Sequence, residues 1–269
     1  MLPTPDTAHV PYSRVYEPAE DSFLLLDTLS APSETSFLSS HFPYSSSSSS
    51  SSPSLIILEI GPGSGVVLAF LTAHAHTIFS RTDILTLGVD INRFAAKATT
   101  RTAKLASAEH ASTSGNFLAA VQGDLVSPLR PRQVDVLVFN PPYVPTEEMP
   151  CLPLSLRGEG DQKTTFEQDS TLLALSYAGG QDGMETTDKV IDSLPEVLSE
   201  RGVAYILLCA GNKPEDVKSR IRNKLGSPGV WCAETVGTSG KQAGWEKLQI
   251  VRIWRETAEK SAVPIGYIC

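Results

Sequence analysis

Short apolar runs alternate with segments of helical periodicity along most of this chain. LIILEI (55–60), ILTLGVD (84–90), a strand within FLAAVQGDL (117–125), VDVLVFN (134–140) and GVAYILLCA (202–210) predict five strands. Apolar-periodic stretches between and after them predict helices behind the glycine turn GPGSG and over 92–107, about 170–178, 186–200 and 214–225. Strands alternating with helices argue for an α/β fold, a mostly parallel sheet covered on both faces. Two further strands, VWCAETV (230–236) and EKLQIVRIW (246–254), have no helix between them. They are expected to pair as an antiparallel hairpin closed by the long loop GTSGKQAGW (237–245), which makes seven strands in all.

Before the first strand, YEPAEDSFLLLDTL (16–29) predicts a short helix. Pro18 suits a first turn, acids crowd the N-terminus, and Phe23, Leu24, Leu26 and Leu29 supply an apolar face. Composition then changes. Residues 30–54 are rich in Ser and Pro and contain the run Ser45–Ser52. So little apolar surface cannot offset ordering entropy, so 30–54 is expected to be a disordered insertion. The whole chain, 1–269, is expected to be one domain interrupted by it.

Charge narrows the partners. Lys and Arg total 22 against 30 Asp and Glu, a formal net charge of −8, whereas nucleic-acid binders usually present a basic patch. The N-terminus lacks the charged start and apolar middle of a signal peptide, and a soluble, cytoplasmic protein is expected, a nuclear pool being compatible. Cys151, Cys209, Cys232 and Cys269 are scattered, which argues for free thiols, mostly buried, rather than a disulfide framework or a structural zinc site. His74 and His76 have no accompanying ligand cluster and are expected to be a helix-end pair without a metal.

The first chemical signal is EIGPGSG (59–65). Gly61, Gly63 and Gly65 after a first strand let backbone approach a ligand and start a helix close to the sheet. Acids follow three successive strands: Glu59, Asp90 and Asp124. Carboxyl ends of strands are where open α/β sheets bind ligands, and Asp90 there can accept ribose hydroxyls while Asp124 can accept an adenine amine. An acidic pocket with no basic residue near its glycines suits a cationic sulfonium better than a pyrophosphate. Alone, these acids are equally well read as helix caps and solvated strand ends.

The second signal is NPPYVP (140–145), which ends the fourth strand. An amide or aromatic amine nitrogen is a poor nucleophile because its lone pair is delocalised. Two acceptors on its N–H bonds can turn the lone pair toward an electrophile and stabilise the positive charge that builds on nitrogen. The Asn140 side-chain oxygen and the Pro141 carbonyl are candidates, Pro141 and Pro142 donate nothing, and Tyr143 can stack on a planar group. By itself, Asn-Pro is also a common turn starter.

With these residues in place the chain resembles the HemK-like amino-methyltransferases, specifically the eukaryotic branch acting on the class I translation release factor. The matching segments are VYEPAEDSFLLLDTL (15–29), LEIGPGSG (58–65), VDIN (89–92), GDL (123–125), FNPPYVP (139–145), AGGQDG (178–183) and KQAGWEKLQIVRI (241–253). NPPY alone is shared with adenine and cytosine amino-methyltransferases. The combination of YEPAEDS with AGGQDG is more specific. The resemblance implies a class I, Rossmann-like S-adenosylmethionine-dependent fold. It implies that Tyr16, Ser22, Glu59, Gly61, Asp90, Asp124, Leu125 and Asn140 lie at the cofactor, and that Asn140, Pro141, Pro142 and Tyr143 hold the glutamine of a Gly-Gly-Gln motif. It also implies a small zinc-binding activator subunit, forming a heterodimer beside the third strand at about 117–122, where a charge-free edge is a liability that a partner can cover.

Two stretches depart from the family pattern: the serine tract, and TEEMPCLPLSLRGEGDQKTTFEQDS (146–170). The second holds six acids against Arg157 and Lys163, a local charge of −4, and starts at the catalytic turn. A solvated face is the ordinary reading of such a run; an alternative is a link near the active site that repels a phosphate backbone. Three other functions compete. An adenine amino-methyltransferase would need a basic groove, a lysine methyltransferase would need to deprotonate an amine, and a non-catalytic scaffold would not need an intact Asn-Pro-Pro-Tyr.

Overall fold

Seven strands form one sheet in the order β3-β2-β1-β4-β5-β7-β6. The computed structural model describes residues 2–44, 52–152, 156, 164–225, 230–240 and 247–256. The strands are β1 (Leu55–Ile60), β2 (Ile84–Asp90), β3 (Asn116–Gln122), β4 (Val134–Phe139), β5 (Leu198–Cys209), β6 (Trp231–Thr238) and β7 (Leu248–Arg255). The first five pair in parallel, and β7 runs antiparallel between β5 and β6. This is the mixed seven-stranded sheet expected of a class I methyltransferase, hairpin included. Residues 241–246 of the hairpin loop lie outside the described residues, as do Ser45–Ser51 of the serine run and 153–155 and 157–163 of the acidic link.

Chain order reverses at β1, whose neighbours are β2 and β4. That switch point leaves a crevice at the carboxyl ends of the central strands. β1 and β4 are apolar runs because both faces are covered, and every residue of β4 is buried. One face packs on α1 (Glu20–Ser30), α3 (Val66–Ala73) and α4 (Ala75–Phe79), with α5 (Arg93–Glu109) beside α3; the other packs on α7 (Glu185–Val197) and α8 (Pro214–Lys224). Among the described residues no helix is long and apolar enough to cross a membrane.

The structure corrects the expected insertion over most of its N-terminal half. Residues Pro32–His41 form α2, with Pro32 at the first helical positions. Leu38 and Phe42 are completely buried, and Phe37 packs against the same core. Glu34 is buried too: its two oxygens each accept from Arg252 Nη1 at 2.9 Å, and Oε2 also accepts from Tyr205 Oη at 2.8 Å. The Arg252 guanidinium lies 3.7 Å from the Phe37 ring centre. A few well-placed residues therefore order a segment whose average composition predicts disorder. Removing one partner of such a buried ion pair costs about 3–5 kcal/mol.

Two smaller corrections concern helix faces and ends. In α1 the buried apolar residues are Leu25, Leu26 and Leu29, while Phe23 is 44% exposed. The remaining buried positions of α1 are polar: Asp21, Ser22 and Thr28. The helix after the acidic link, α6 (Phe166–Tyr177), starts earlier than expected because Thr165 and Gln168 form a capping box. Of the cysteines, Cys209 is buried, Cys232 half-buried and Cys151 exposed. His74 is buried against the Pro3 carbonyl at 2.8 Å and beside the ring of His110.

Candidate active site

A cavity of about 380 Å³ opens at the switch point. Its wall brings together ten of the residues singled out in the sequence: Tyr16, Ser22, Glu59, Gly61, Gly63, Asp90, Asp124, Leu125, Asn140 and Pro142. Gly65 lies behind the wall. A Cβ there would sit 2.5 Å from Thr99 Cα, so Gly65 lets α3 approach α5, whereas a Cβ at Gly61 or Gly63 would meet nothing within 4 Å. All three have positive φ, which glycine adopts without strain. Pro141 and Tyr143 are also off the wall; Tyr143 is half-buried against the core beneath.

The acids differ in their surroundings. Glu59 is buried, and its Oε2 has no hydrogen-bond partner among the described residues. Burial pushes its carboxyl up to about 8, the charge of Asp90 adds to this, and a hydrogen bond from backbone at Leu68 opposes it. Asp90 accepts from Asn92 N at 2.7 Å and from Gly63 N at 3.1 Å, which ties β2 to the glycine turn. Burial raises it to about 6 against those two bonds. Asp124 is exposed at the rim, and Leu125 beside it has φ +49, in the left-handed region.

Asn140 sits where β4 ends. Its Nδ2 donates to Asp21 Oδ2 at 3.1 Å, and its Oδ1 is buried without a partner among the described residues. The same Asp21 oxygen accepts from Tyr16 Oη at 3.1 Å. Burial, followed by the charge of Asp21, raises Tyr16 well above the usual phenol range, so it stays a donor. Asp21 Oδ1 accepts from Ser22 N at 2.6 Å and Ser22 Oγ at 3.2 Å. Two orphaned acceptors, Glu59 Oε2 and Asn140 Oδ1, thus lie in one acidic pocket. Donor-rich, cationic ligand groups would complete them, which fits a sulfonium amino acid and an amide N–H.

The Asn-Pro-Pro-Tyr turn is held from behind by AGGQDG. Val144 N donates to Tyr177 O at 2.9 Å, Gly179 N to Val144 O at 2.8 Å and Thr146 N to Gly180 O at 3.1 Å. Asn212 Nδ2 donates to Tyr143 O at 3.3 Å and to Asp182 O at 3.0 Å. A Cβ on Gly183 would fall 2.1 Å from Tyr143 O, which explains the glycine. Met149, Pro150 and Cys151 of the acidic link line the cavity with Leu172, Leu175 and Ser176 of α6. Sequence reasoning missed Asp21, Asn92 and Asn212, and also Glu185, which lines the cavity and accepts from Gln181 N at 3.0 Å. Asp21 stood in a quoted motif, but its acid was taken for a helix-dipole partner.

No family model matches the chain. It is 34% identical over 258 residues to the mouse protein "Methyltransferase HEMK2", covering 93% of this chain and 96% of that one. It is 33% identical over 255 residues to the human protein of the same name, covering 93% and 95%. With the fission yeast "eRF1 methyltransferase catalytic subunit mtq2" it shares 31% identity over 261 residues, covering 95% and 96%.

Proposed function

The chain belongs to the HemK-like methyltransferase family that includes the HEMK2 proteins, and we propose that it methylates the glutamine side-chain nitrogen of the Gly-Gly-Gln motif in a class I release factor, using S-adenosylmethionine. The observation that carries this is the buried, unpartnered Asn140 Oδ1 on the cavity wall. When bound, the cofactor supplies an electrophilic methyl group on a sulfonium. Glu59 offers an unshared carboxyl oxygen to its cationic end, Asp90 accepts from hydroxyls, and the open faces of Gly61 and Gly63 admit it closely.

Asn140 Oδ1 accepts one N–H of the incoming amide, whereas the Pro141 carbonyl, expected to take the other, lies off the cavity wall. The Asn140 contact fixes the plane of the nitrogen and favours the positive charge that grows as it gains a methyl. The carbon–nitrogen bond would form as the methyl–sulfur bond breaks, leaving a neutral thioether, and the nitrogen would give up one proton to solvent. No side-chain nucleophile is required. The organism's protein substrate is inferred from the relatives' names and from a net charge of −8, which disfavours a phosphate backbone.

A small zinc-binding activator subunit is the proposed partner, docked on β3. That strand is one of the two outer edges of the sheet, carries no charged residue, and leaves Leu118 54% exposed. The deciding experiment is transfer of labelled methyl, with the activator present, to the release factor, to the factor with its motif glutamine changed, and to DNA. Label is expected on the first alone. Label on DNA but not on the factor, or on the altered factor, would overturn the assignment.

A further inference from the structure

We propose that Asp21 is a positioning residue that locks the Asn140 carboxamide with its oxygen toward the substrate; this rests on the amide-methylation reading above. A carboxamide looks nearly the same after a half-turn about its last bond, yet the two orientations are chemically opposite. With Oδ1 in the cavity, Asn140 accepts from a substrate N–H. With Nδ2 there, it would donate to a nitrogen that must give up electron density, and the site would oppose the reaction. Which orientation holds depends on what lies behind the amide.

What lies behind it is a carboxylate. Asp21 is 3% exposed, and its Oδ2 is 3.1 Å from Asn140 Nδ2. A carboxylate accepts and cannot donate, so the amino group must face it. Asp21 is itself immobilised: Tyr16 Oη donates to the same oxygen at 3.1 Å, and Ser22 N donates to the other at 2.6 Å. The four residues come from the segment before α1, the start of α1 and the end of β4, 119 positions apart between Asp21 and Asn140. The N-terminal segment therefore does more than line the cavity. It sets the polarity of the catalytic amide.

The test is a double-mutant cycle on the full chain with its activator. Asp21→Asn keeps size but lets residue 140 turn either way; kcat for the release factor is expected to fall at least tenfold while cofactor Kd changes less than threefold. Asn140→Asp alone sets two carboxylates against each other and is expected to be worse. The pair Asp21→Asn with Asn140→Asp restores a donor behind and an acceptor in front, and is expected to exceed Asn140→Asp alone at least tenfold. An unchanged kcat in Asp21→Asn, a parallel loss of cofactor affinity, or no recovery in the pair would overturn the lock. In the wild-type protein the Asn140 side-chain N–H should exchange slowly with solvent, and free exchange would overturn it without any variant. A wild-type protein that labels DNA and not the factor fails the amide reading instead, so the two failures are distinguishable.

Discussion

Glu59 and Asp90 share one wall, and their protonation should be visible from outside. The ordinary value for Glu59 is 4.5, and burial raises it to about 8 in the folded protein. Between those values the folded state holds a proton that the unfolded state has lost. Stability from this group therefore falls as pH rises from about 4.5 to about 8. The thermal midpoint of the unliganded protein should decline over that window, and Glu59→Gln should flatten the decline; an equal slope in the variant would refute the burial argument. Ligand binding runs the other way. A cationic ligand favours ionised Glu59, so cofactor affinity should rise by up to about tenfold per pH unit below 8 and binding should release a proton. Calorimetry in two buffers of different ionisation enthalpy measures that proton directly. These acids were legible in sequence because each ends a strand. Asp21 was not, since an acid at a helix start is ordinarily a dipole partner, and only tertiary packing turns it toward Asn140 119 positions away.

At the scale of elements, two segments carry more than their composition suggests. α2 was illegible because Ser and Pro dominate it, while its order depends on Leu38, Phe42 and the Glu34–Arg252 pair, the last bridging 218 positions. Leu38→Ala should cost about 2–5 kcal/mol, with about 2–4 °C of midpoint lost per kcal/mol. A loss under 1 °C in a thermal scan would return α2 to the status of an appendage. AGGQDG was legible as a motif but not as a mechanism. Its glycines let one loop lie against the backbone of the Asn-Pro-Pro-Tyr turn: Gly183 has φ +68 and leaves no room for a Cβ beside Tyr143 O. Gly183→Ala should displace that turn and lower kcat at least tenfold, whereas Gly240→Ala, whose Cβ would meet nothing within 4 Å, should be silent. Equal kinetics for the two variants would mean that the backing loop does not hold Asn140. The capping box at Thr165 is a third case, a start signal present in the sequence but hidden inside a charged stretch.

Over the whole molecule, the sheet has two outer strands, and they are managed differently. β6 has Thr28 of α1 against Gly237, breaks register between Thr235 and Gly237, and carries Glu234. β3 has no charge, only a register break opposite Thr86 and Leu87 that leaves Leu118 without a partner residue on β2. α5, which packs on β3, also exposes Leu105 at 42%. An apolar edge of this kind invites pairing with another chain unless something covers it. The parallel sheet was legible from strand–helix alternation, but the strand order that puts β3 outermost was not, because alternation leaves the spatial order of parallel strands open; nor was the bulge at Leu118, because one extra residue leaves no mark on an apolar run. If the proposed activator covers this edge, Leu118→Arg should weaken the proposed heterodimer at least tenfold, read by titration of the purified subunits. The same change should leave the fold alone, since an exposed substitution away from caps and ion pairs shifts stability by about 0.5 kcal/mol or less. Methyl transfer should then fall in step with the lost heterodimer and recover when activator is added in excess, because the Asn140 site itself is untouched. Unimpaired assembly of the Leu118→Arg chain would place the activator elsewhere on the surface and leave the bare edge of β3 to some other partner.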